Sequence, residues 1–114
     1  MISNHSDQNR FGLPLASIEK IHAVLQRYTA IEQVIIYGSR AKGTAEAGSD
    51  IDLTVIGDDF TPQQLIELEM ELDDLLLPYQ IDLSRLPEIE NRDLVDHIQR
   101  VGKPFYRPLN NPAI

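Results

Sequence analysis

Apolar and polar residues follow two different periods along this chain, and the change from one period to the other predicts its elements. Helical spacing of apolar residues predicts three helices, at residues 14 to about 28, 61–78 and 91–102. Short apolar runs predict strands at residues 34–37, 50–56 and 80–85, with a further short strand at 105–106. Strands separated by helices predict an α/β (α+β) domain, in which helices flank a small sheet.

The second predicted helix has the clearest start. Thr61 is expected to cap it, Pro62 suits its first turn, and Gln64 completes a capping box. Its apolar stripe consists of Leu65, Leu68, Leu72, Leu75 and Leu76. Pro78 is expected to end this helix, because proline cannot continue the hydrogen-bond ladder.

Composition limits the classes of protein to which the chain can belong. Its 114 residues make one small domain, which we place at residues 13–107 between an N-terminal tail (1–12) and a loose C-terminal tail (108–114). A net charge of −8 argues against direct nucleic-acid binding, and the absence of cysteine excludes disulfides and thiolate metal sites. The apolar runs are too short to span a membrane, and the first dozen residues lack the apolar stretch of a signal peptide. We therefore expect a cytoplasmic protein.

A glycine-serine pair and two aspartates form the most informative pattern in the chain. Gly38-Ser39 directly follows the first predicted strand, and ten residues separate Ser39 from Asp50. Asp50 and Asp52 are two apart at the start of the second strand, so they share one face, while the apolar residues between and after them face the other side. Paired carboxylates suit a divalent cation, and the Gly-Ser turn is suited to receive phosphate on its main-chain N–H groups. Together they indicate nucleotidyl transfer; the alternative is a tight turn followed by an acidic surface strand.

Asp82 is a third candidate ligand. It lies between Ile81 and Leu83 in the third predicted strand, where a carboxylate costs stability unless it is paired, exposed or bound to metal. If this strand lies beside the second, Asp82 reaches Asp50 and Asp52; otherwise it is a solvent-facing residue of an alternating strand. The three histidines (His5, His22, His97) show no metal-ligand spacing, and we leave them out of the predicted site.

These residues resemble the signature of the DNA-polymerase-beta-like nucleotidyltransferase superfamily. Gly38, Ser39, Asp50, Asp52 and Asp82 match it in type, order and spacing, and the resemblance covers roughly residues 15 to 107. The short length resembles the minimal nucleotidyltransferases, the MNT group, which includes MntA-type antitoxins. The resemblance implies the small mixed sheet of that superfamily.

The resemblance also implies roles for residues. The metal ligands and catalytic residues would be Asp50, Asp52 and Asp82, holding two Mg²⁺ ions, with Asp82 also orienting or deprotonating the attacking hydroxyl. Gly38 and Ser39 would contact the phosphates of ATP or another nucleoside triphosphate. Arg40 and Lys42 resemble basic residues that steady those phosphates; the alternative for both is a solvated charge on a loop.

In the MNT group the usual partner is a HEPN protein, an all-helical toxin encoded nearby, and the MNT chain adds AMP to a tyrosine of that toxin. The resemblance therefore implies an antitoxin that is a protein adenylyltransferase. Three alternatives stay open: a small-molecule (aminoglycoside-type) nucleotidyltransferase acting with a partner subunit, a non-catalytic binding antitoxin, and a polynucleotide-extending enzyme. The leucine-rich helical faces suit either a homodimer or a hetero-oligomer.

Overall fold

The alternation of helices and strands predicted from the sequence appears in the computed structural model, which describes residues 10–108. The helices are α1 (Leu15–Leu25), α2 (Gly38–Lys42), α3 (Pro62–Asp73) and α4 (Arg92–Val101). The strands are β1 (Gln33–Tyr37), β2 (Ile51–Ile56), β3 (Ile81–Arg85) and β4 (Lys103–Tyr106). Short 3-10 turns lie at Arg10–Gly12 and Leu86–Glu88.

The strands form one mixed sheet in the order β3-β2-β1-β4. Strand β1 pairs antiparallel with β2 and with β4, whereas β2 pairs parallel with β3. A parallel pair needs a long crossover, and α3 supplies it between β2 and β3. The predicted fold class, a small mixed sheet flanked by helices, is confirmed, and so is the position of the third strand beside the second.

One face of the sheet forms the core with α1 and α3. Its side chains from β1 and β2 are fully buried: Val34, Ile36, Ile51, Leu53 and Val55. They share one cluster with apolar residues of both helices, including Ile21 and Leu68. Alternate residues of the same strands point to the opposite face, which α4 approaches near Gly38 and Ile35.

The start of α3 is as predicted, but its end is not. The Thr61 side chain accepts from the Gln64 N–H, and the Gln64 side chain accepts from the Thr61 N–H, each at 3.1 Å. The helix ends at Asp73 rather than at Pro78. The carboxylates of Asp73 and Asp74 interact unfavourably with the negative end of the helix dipole, and no basic residue in the last turn offsets them. Leu76 therefore leaves the predicted stripe, with a left-handed φ of 55° and 87% exposure.

The two other predicted helices also form, with small changes at their ends. The Asn91 side chain caps α4 by accepting from the Leu94 N–H at 3.1 Å, and Gly102 follows the last turn. Residues 1–9 and 109–114, on which the predicted tails largely fall, lie outside the described residues. Arg10–Gly12, assigned to the N-terminal tail from sequence, form a turn whose carbonyl groups contact Arg40. Over residues 10–108, no helix is long and apolar enough to cross a bilayer.

Candidate active site

Three side chains form a row across the sheet on the face opposite the core. In the antiparallel pair Tyr37 lies opposite Asp52, and in the parallel pair Asp52 lies beside Asp82. Residues directly paired across strands share a face, so both aspartates project to the same side. The next cross-strand pair on this face, Thr54 and Ser84, is also polar, and the Ser84 hydroxyl donates to the Thr54 hydroxyl at 2.9 Å. The structure thus brings together two aspartates that are 30 positions apart in the chain.

The environment of Asp52 disfavours its negative charge. Burial raises the pKa of Asp52 to about 6, and the charges of Asp82 and Asp50 act in the same direction, while Arg40 opposes them. A cation that approaches both acids would stabilise the negative charge of Asp52 and lower its pKa. Asp82 is exposed at the edge strand, so such a cation can reach the pair from solvent.

Asp50 lies just before β2, exposed, and close enough to Asp52 to affect its ionisation. Within residues 10–108, no three His, Cys, Asp or Glu side chains are grouped tightly enough to hold a metal ion by themselves. The donor set instead fits Mg²⁺ that keeps waters and phosphate oxygens among its ligands, since Mg²⁺ in nucleotide sites takes only one or two carboxylates.

Gly38 connects β1 to α2 and lies against the carboxylate of Asp52. Its φ is +72°, a left-handed conformation that strains any residue with a side chain. A Cβ at this position would also overlap an Asp52 carboxylate oxygen. Glycine therefore allows the main chain of the Gly38-Ser39 turn to lie beside Asp52.

His97 is a residue of this site that sequence reasoning missed. The Gly38 N–H donates to His97 Nε2 at 3.2 Å, and the His97 ring meets the Tyr37 ring edge-on at 6.2 Å. His97 therefore accepts from one of the N–H groups that are predicted from sequence to contact phosphate. The sequence placed His97 on the last predicted helix, but nothing in it indicated that this helix lies over the Gly38 turn.

Arg40 is buried, with 2% of its surface exposed, and its guanidinium donates only to main-chain carbonyls among the described residues. Nη1 donates to Phe11 O at 3.0 Å and to Gly12 O at 3.2 Å. Nε and Nη2 donate to Ser49 O at 3.2 and 2.8 Å, and Nη2 also donates to Ala47 O at 3.3 Å.

These contacts give Arg40 a structural role, and its predicted contact with the phosphates stays a prediction. A guanidinium has five N–H groups in a planar fork, and here that fork joins the N-terminal turn to the loop preceding Asp50. Arg40 also lies over the Tyr79 ring at 5.0 Å. The alternative of a solvated loop charge does not hold for Arg40, because the loop folds around its side chain.

Lys42 is exposed at the far end of α2. It lines a cavity of about 340 Å³ together with Arg10, Gly12 and Lys103, and none of the three aspartates lines that cavity. Its predicted contact with the phosphates therefore stays a prediction.

The nucleotidyltransferase family described as polymerase beta, nucleotidyltransferase matches residues 19–109. This chain belongs to that family. The match spans Gly38, Ser39 and all three aspartates, and it makes the chain a nucleotidyltransferase. A search of curated protein sequences finds no match.

Solved structures with this nucleotidyltransferase fold include chains of toxin–antitoxin complexes. A toxin–antitoxin structure with AMP-PNP matches with a TM-score of 0.64 and 24% identity, over 81% of this chain and 74% of that chain. The tri-AMPylated Shewanella oneidensis HEPN toxin in complex with MNT antitoxin matches with a TM-score of 0.60 and 21% identity, over 82% and 71%. An MntA–HepT crystal structure matches with a TM-score of 0.59 and 21% identity, over 82% and 72%. These likenesses support the fold.

Proposed function

We propose that this chain transfers AMP from ATP to a tyrosine hydroxyl of a HEPN-type toxin, and so acts as an antitoxin. The observation that carries the proposal is the direct pairing of Asp52 with Asp82 beside the Gly38 turn, within a fold shared with MNT antitoxins. The paired acids supply the chemistry of a nucleotidyl-transfer site. The solved complexes suggest the donor and acceptor, because one holds AMP-PNP and another holds an AMPylated HEPN toxin.

The reaction joins the acceptor oxygen to the α-phosphorus and breaks the bond between that phosphorus and the oxygen bridging to the β-phosphorus. Pyrophosphate leaves, and the hydroxyl proton goes to a base. We assign that base, or the group that orients the hydroxyl, to Asp82, because it is exposed at the edge of the sheet where an acceptor can reach it. Gln80 Nε2 donates to Asp82 Oδ1 at 3.4 Å and so helps hold that carboxylate in place.

Asp52 and Asp82, with Asp50 beside them, would hold Mg²⁺, which when bound lowers the energy of charge developing on the phosphate oxygens. Asp52 is the half-buried member of the set, and its carboxylate lies against the Gly38 main chain. It would therefore set where the cation sits relative to the Gly38-Ser39 turn. In this proposal two ions are present, as the resemblance implies.

The phosphates would lie against Gly38 and Ser39, whose main chain approaches the acids closely. His97 must release the Gly38 N–H for this to happen, since that N–H has one hydrogen to donate. Lys42 stays in the proposal as an exposed cation one helical turn further on. Arg40 acts indirectly in this proposal, because it holds in place the loop that directly precedes Asp50.

Mass spectrometry of the HEPN-type protein tests the proposal. That protein is incubated with this chain, Mg²⁺ and each nucleoside triphosphate in turn. We expect a mass gain of one or more AMP groups with ATP, mapped by fragmentation to a tyrosine. The gain should disappear with the Asp52→Ala variant and persist with Asp59→Ala, an exposed acid in the turn after β2 that serves as the matched control.

Two results would contradict the proposal. Toxin neutralisation that survives Asp52→Ala without any mass gain would indicate an antitoxin that acts by binding alone. Mass gain on an aminoglycoside or another small molecule, with none on the HEPN-type protein, would indicate a small-molecule nucleotidyltransferase.

A further inference from the structure

An apolar groove with an acidic rim runs between α3 and the edge strand β3, and we name it the α3–β3 groove. Its apolar lining includes Ile66 and Met70 of α3, Leu77, and Ile81 and Leu83 of β3. The cavity measures about 940 Å³, which is room for several side chains of a partner. Ile66 is 51% exposed and Met70 is 63% exposed, and because they are four residues apart on α3 they form one apolar patch on its surface.

The charged residues that line the α3–β3 groove are all negative. Glu69, Asp73 and Asp82 line it, and no Lys, Arg or His is among its lining residues. A second copy of this chain, with its net charge of −8, would be repelled from such a rim, and so would nucleic acid or an anionic membrane. An occupant that matches the groove has apolar side chains flanked by lysine or arginine.

The α3–β3 groove and the proposed catalytic site share one residue, Asp82. Asp82 lines the groove at the edge strand and also pairs with Asp52, while its neighbours Ile81 and Leu83 pack against the core. Strand β3 is the edge of the described sheet, and its outer side pairs with no strand among residues 10–108. A polypeptide lying in the groove would therefore run along the edge strand that carries Asp82, the residue to which the proposed function assigns the acceptor hydroxyl.

We propose that the α3–β3 groove is the docking surface for the acceptor protein, and that the docked segment carries apolar side chains flanked by basic residues and presents its hydroxyl to Asp82. This proposal rests on the proposed function for the identity of the acceptor. It goes further by naming the surface and the chemistry of the docked segment. Specificity for a protein acceptor then comes from α3 and β3, while the Gly38 turn and Asp52 handle the nucleotide.

The test is a comparison of Met70→Arg with Leu15→Arg in the full chain. Both replace an exposed apolar helix residue by the same cation, but Leu15 (36% exposed) does not line the groove. The purified HEPN-type protein is the probe, and binding is measured by calorimetry in parallel with AMP transfer. We expect Met70→Arg to raise Kd and to lower kcat/KM for the protein acceptor by at least about tenfold. Leu15→Arg should behave as wild type, and both variants should keep the wild-type thermal shift with Mg²⁺ and AMP-PNP.

A second pair of variants tests the charge argument. Glu69→Gln removes a rim charge, whereas Glu67→Gln removes an exposed charge from the same helix outside the groove lining. The Glu69 variant should weaken the dependence of the association rate on salt concentration, because steering by the rim is screened by ions. The Glu67 variant should change that dependence less.

The outcomes separate this proposal from the proposed function. Wild-type affinity in Met70→Arg, or an equal loss in Leu15→Arg, overturns the groove while leaving AMP transfer standing. Binding without any AMP transfer by wild type, still lost in Met70→Arg, supports the groove and removes the catalytic function. A wild-type dimer that Met70→Arg converts to monomer, with unchanged HEPN binding, assigns the groove to a second copy and overturns the proposal. Absence of any complex with the HEPN-type protein overturns it as well.

Discussion

The two faces of the sheet are built from consecutive residues of the same strands, yet they meet opposite requirements. On the core face Leu53 is fully buried among apolar side chains of α1 and α3. On the other face its neighbour Asp52 lies beside Asp82, with a pKa raised to about 6 by burial and by nearby negative charge. One face gains stability by excluding water, whereas the other gathers like charges that oppose folding.

This contrast explains why a small domain can carry the site. The buried row of Val34, Ile36 and Leu53 stabilises the strands from one side. The strands can therefore hold Asp52 and Asp82 side by side on the other. Stability and chemistry are divided by the alternation of side chains along a strand, so substitutions one position apart should have separable effects.

The largest expected effect is on catalysis, through Asp52→Asn. Replacing the carboxylate by a neutral amide should lower AMP transfer by roughly a thousandfold or more, since the cation loses a ligand worth several kcal/mol in the transition state. Thermal unfolding at pH 7 should show a melting temperature equal to or above that of wild type. A sharp fall in melting temperature would mean that both faces are structural.

The substitution at the adjacent position, Leu53→Ala, should lower stability and leave catalysis by the folded protein nearly unchanged. Removing a fully buried leucine should cost about 3 kcal/mol in the free energy of unfolding, measured by urea denaturation. The fraction that stays folded should transfer AMP at close to the wild-type rate per molecule. Loss of activity out of proportion to the loss of folded protein would break the separation of the two faces.

Arg40→Lys tests whether the loop before Asp50 depends on the buried guanidinium. Lysine keeps the charge but offers one nitrogen where arginine reaches carbonyls of two chain segments, from Phe11 and from Ser49. We expect a loss of about 2–3 kcal/mol in stability, by urea denaturation. Lys42→Ala is the control, an exposed cation of the same helix whose loss should leave stability unchanged. Wild-type stability in Arg40→Lys would argue against the structural role.

His97→Ala should have a smaller effect, confined to nucleotide binding. Because His97 accepts from the Gly38 N–H, its removal frees that donor for phosphate, and Mg²⁺ with AMP-PNP should bind about fivefold more tightly by calorimetry. His97→Gln, which retains an acceptor, should lie closer to wild type. Weaker binding in the alanine variant would mean instead that His97 positions the turn for the nucleotide.

The smallest expected effect is a pH dependence of stability in the metal-free protein. Because the folded pKa of Asp52 is raised from 3.8 to about 6, the fold favours the neutral acid. The contribution of Asp52 to stability is therefore full below pH 3.8 and is lost as pH rises through about 6. The melting temperature of Asp52→Asn minus that of wild type should grow by a few degrees (~2–4 °C) between pH 4 and pH 7. Comparing the two proteins cancels the titration of groups far from Asp52, such as His22, and a flat difference would contradict the raised pKa of Asp52.

Much of this fold follows from local rules. The Thr61–Gln64 capping box and the Asn91 cap involve groups three residues apart, so the sequence contains both partners. Asp50 and Asp52 share a face because strands alternate with period two. The predicted end of α3 at Pro78 was wrong, because the negative charges of Asp73 and Asp74 disfavour continuation of the helix five residues earlier.

The sequence by itself therefore determined the type of the longer elements, the caps that begin α3 and α4, and the acids and glycine of the candidate site. Only the tertiary structure decided which of these meet: the parallel register that sets Asp82 beside Asp52, the crossing of α4 that brings His97 to Gly38, and the burial of Arg40 among carbonyls. The physical reason is the range of the interactions. Hydrogen bonds within a turn or helix link neighbours that a sequence pattern records, whereas contacts between residues 30 to 60 positions apart depend on how whole elements pack.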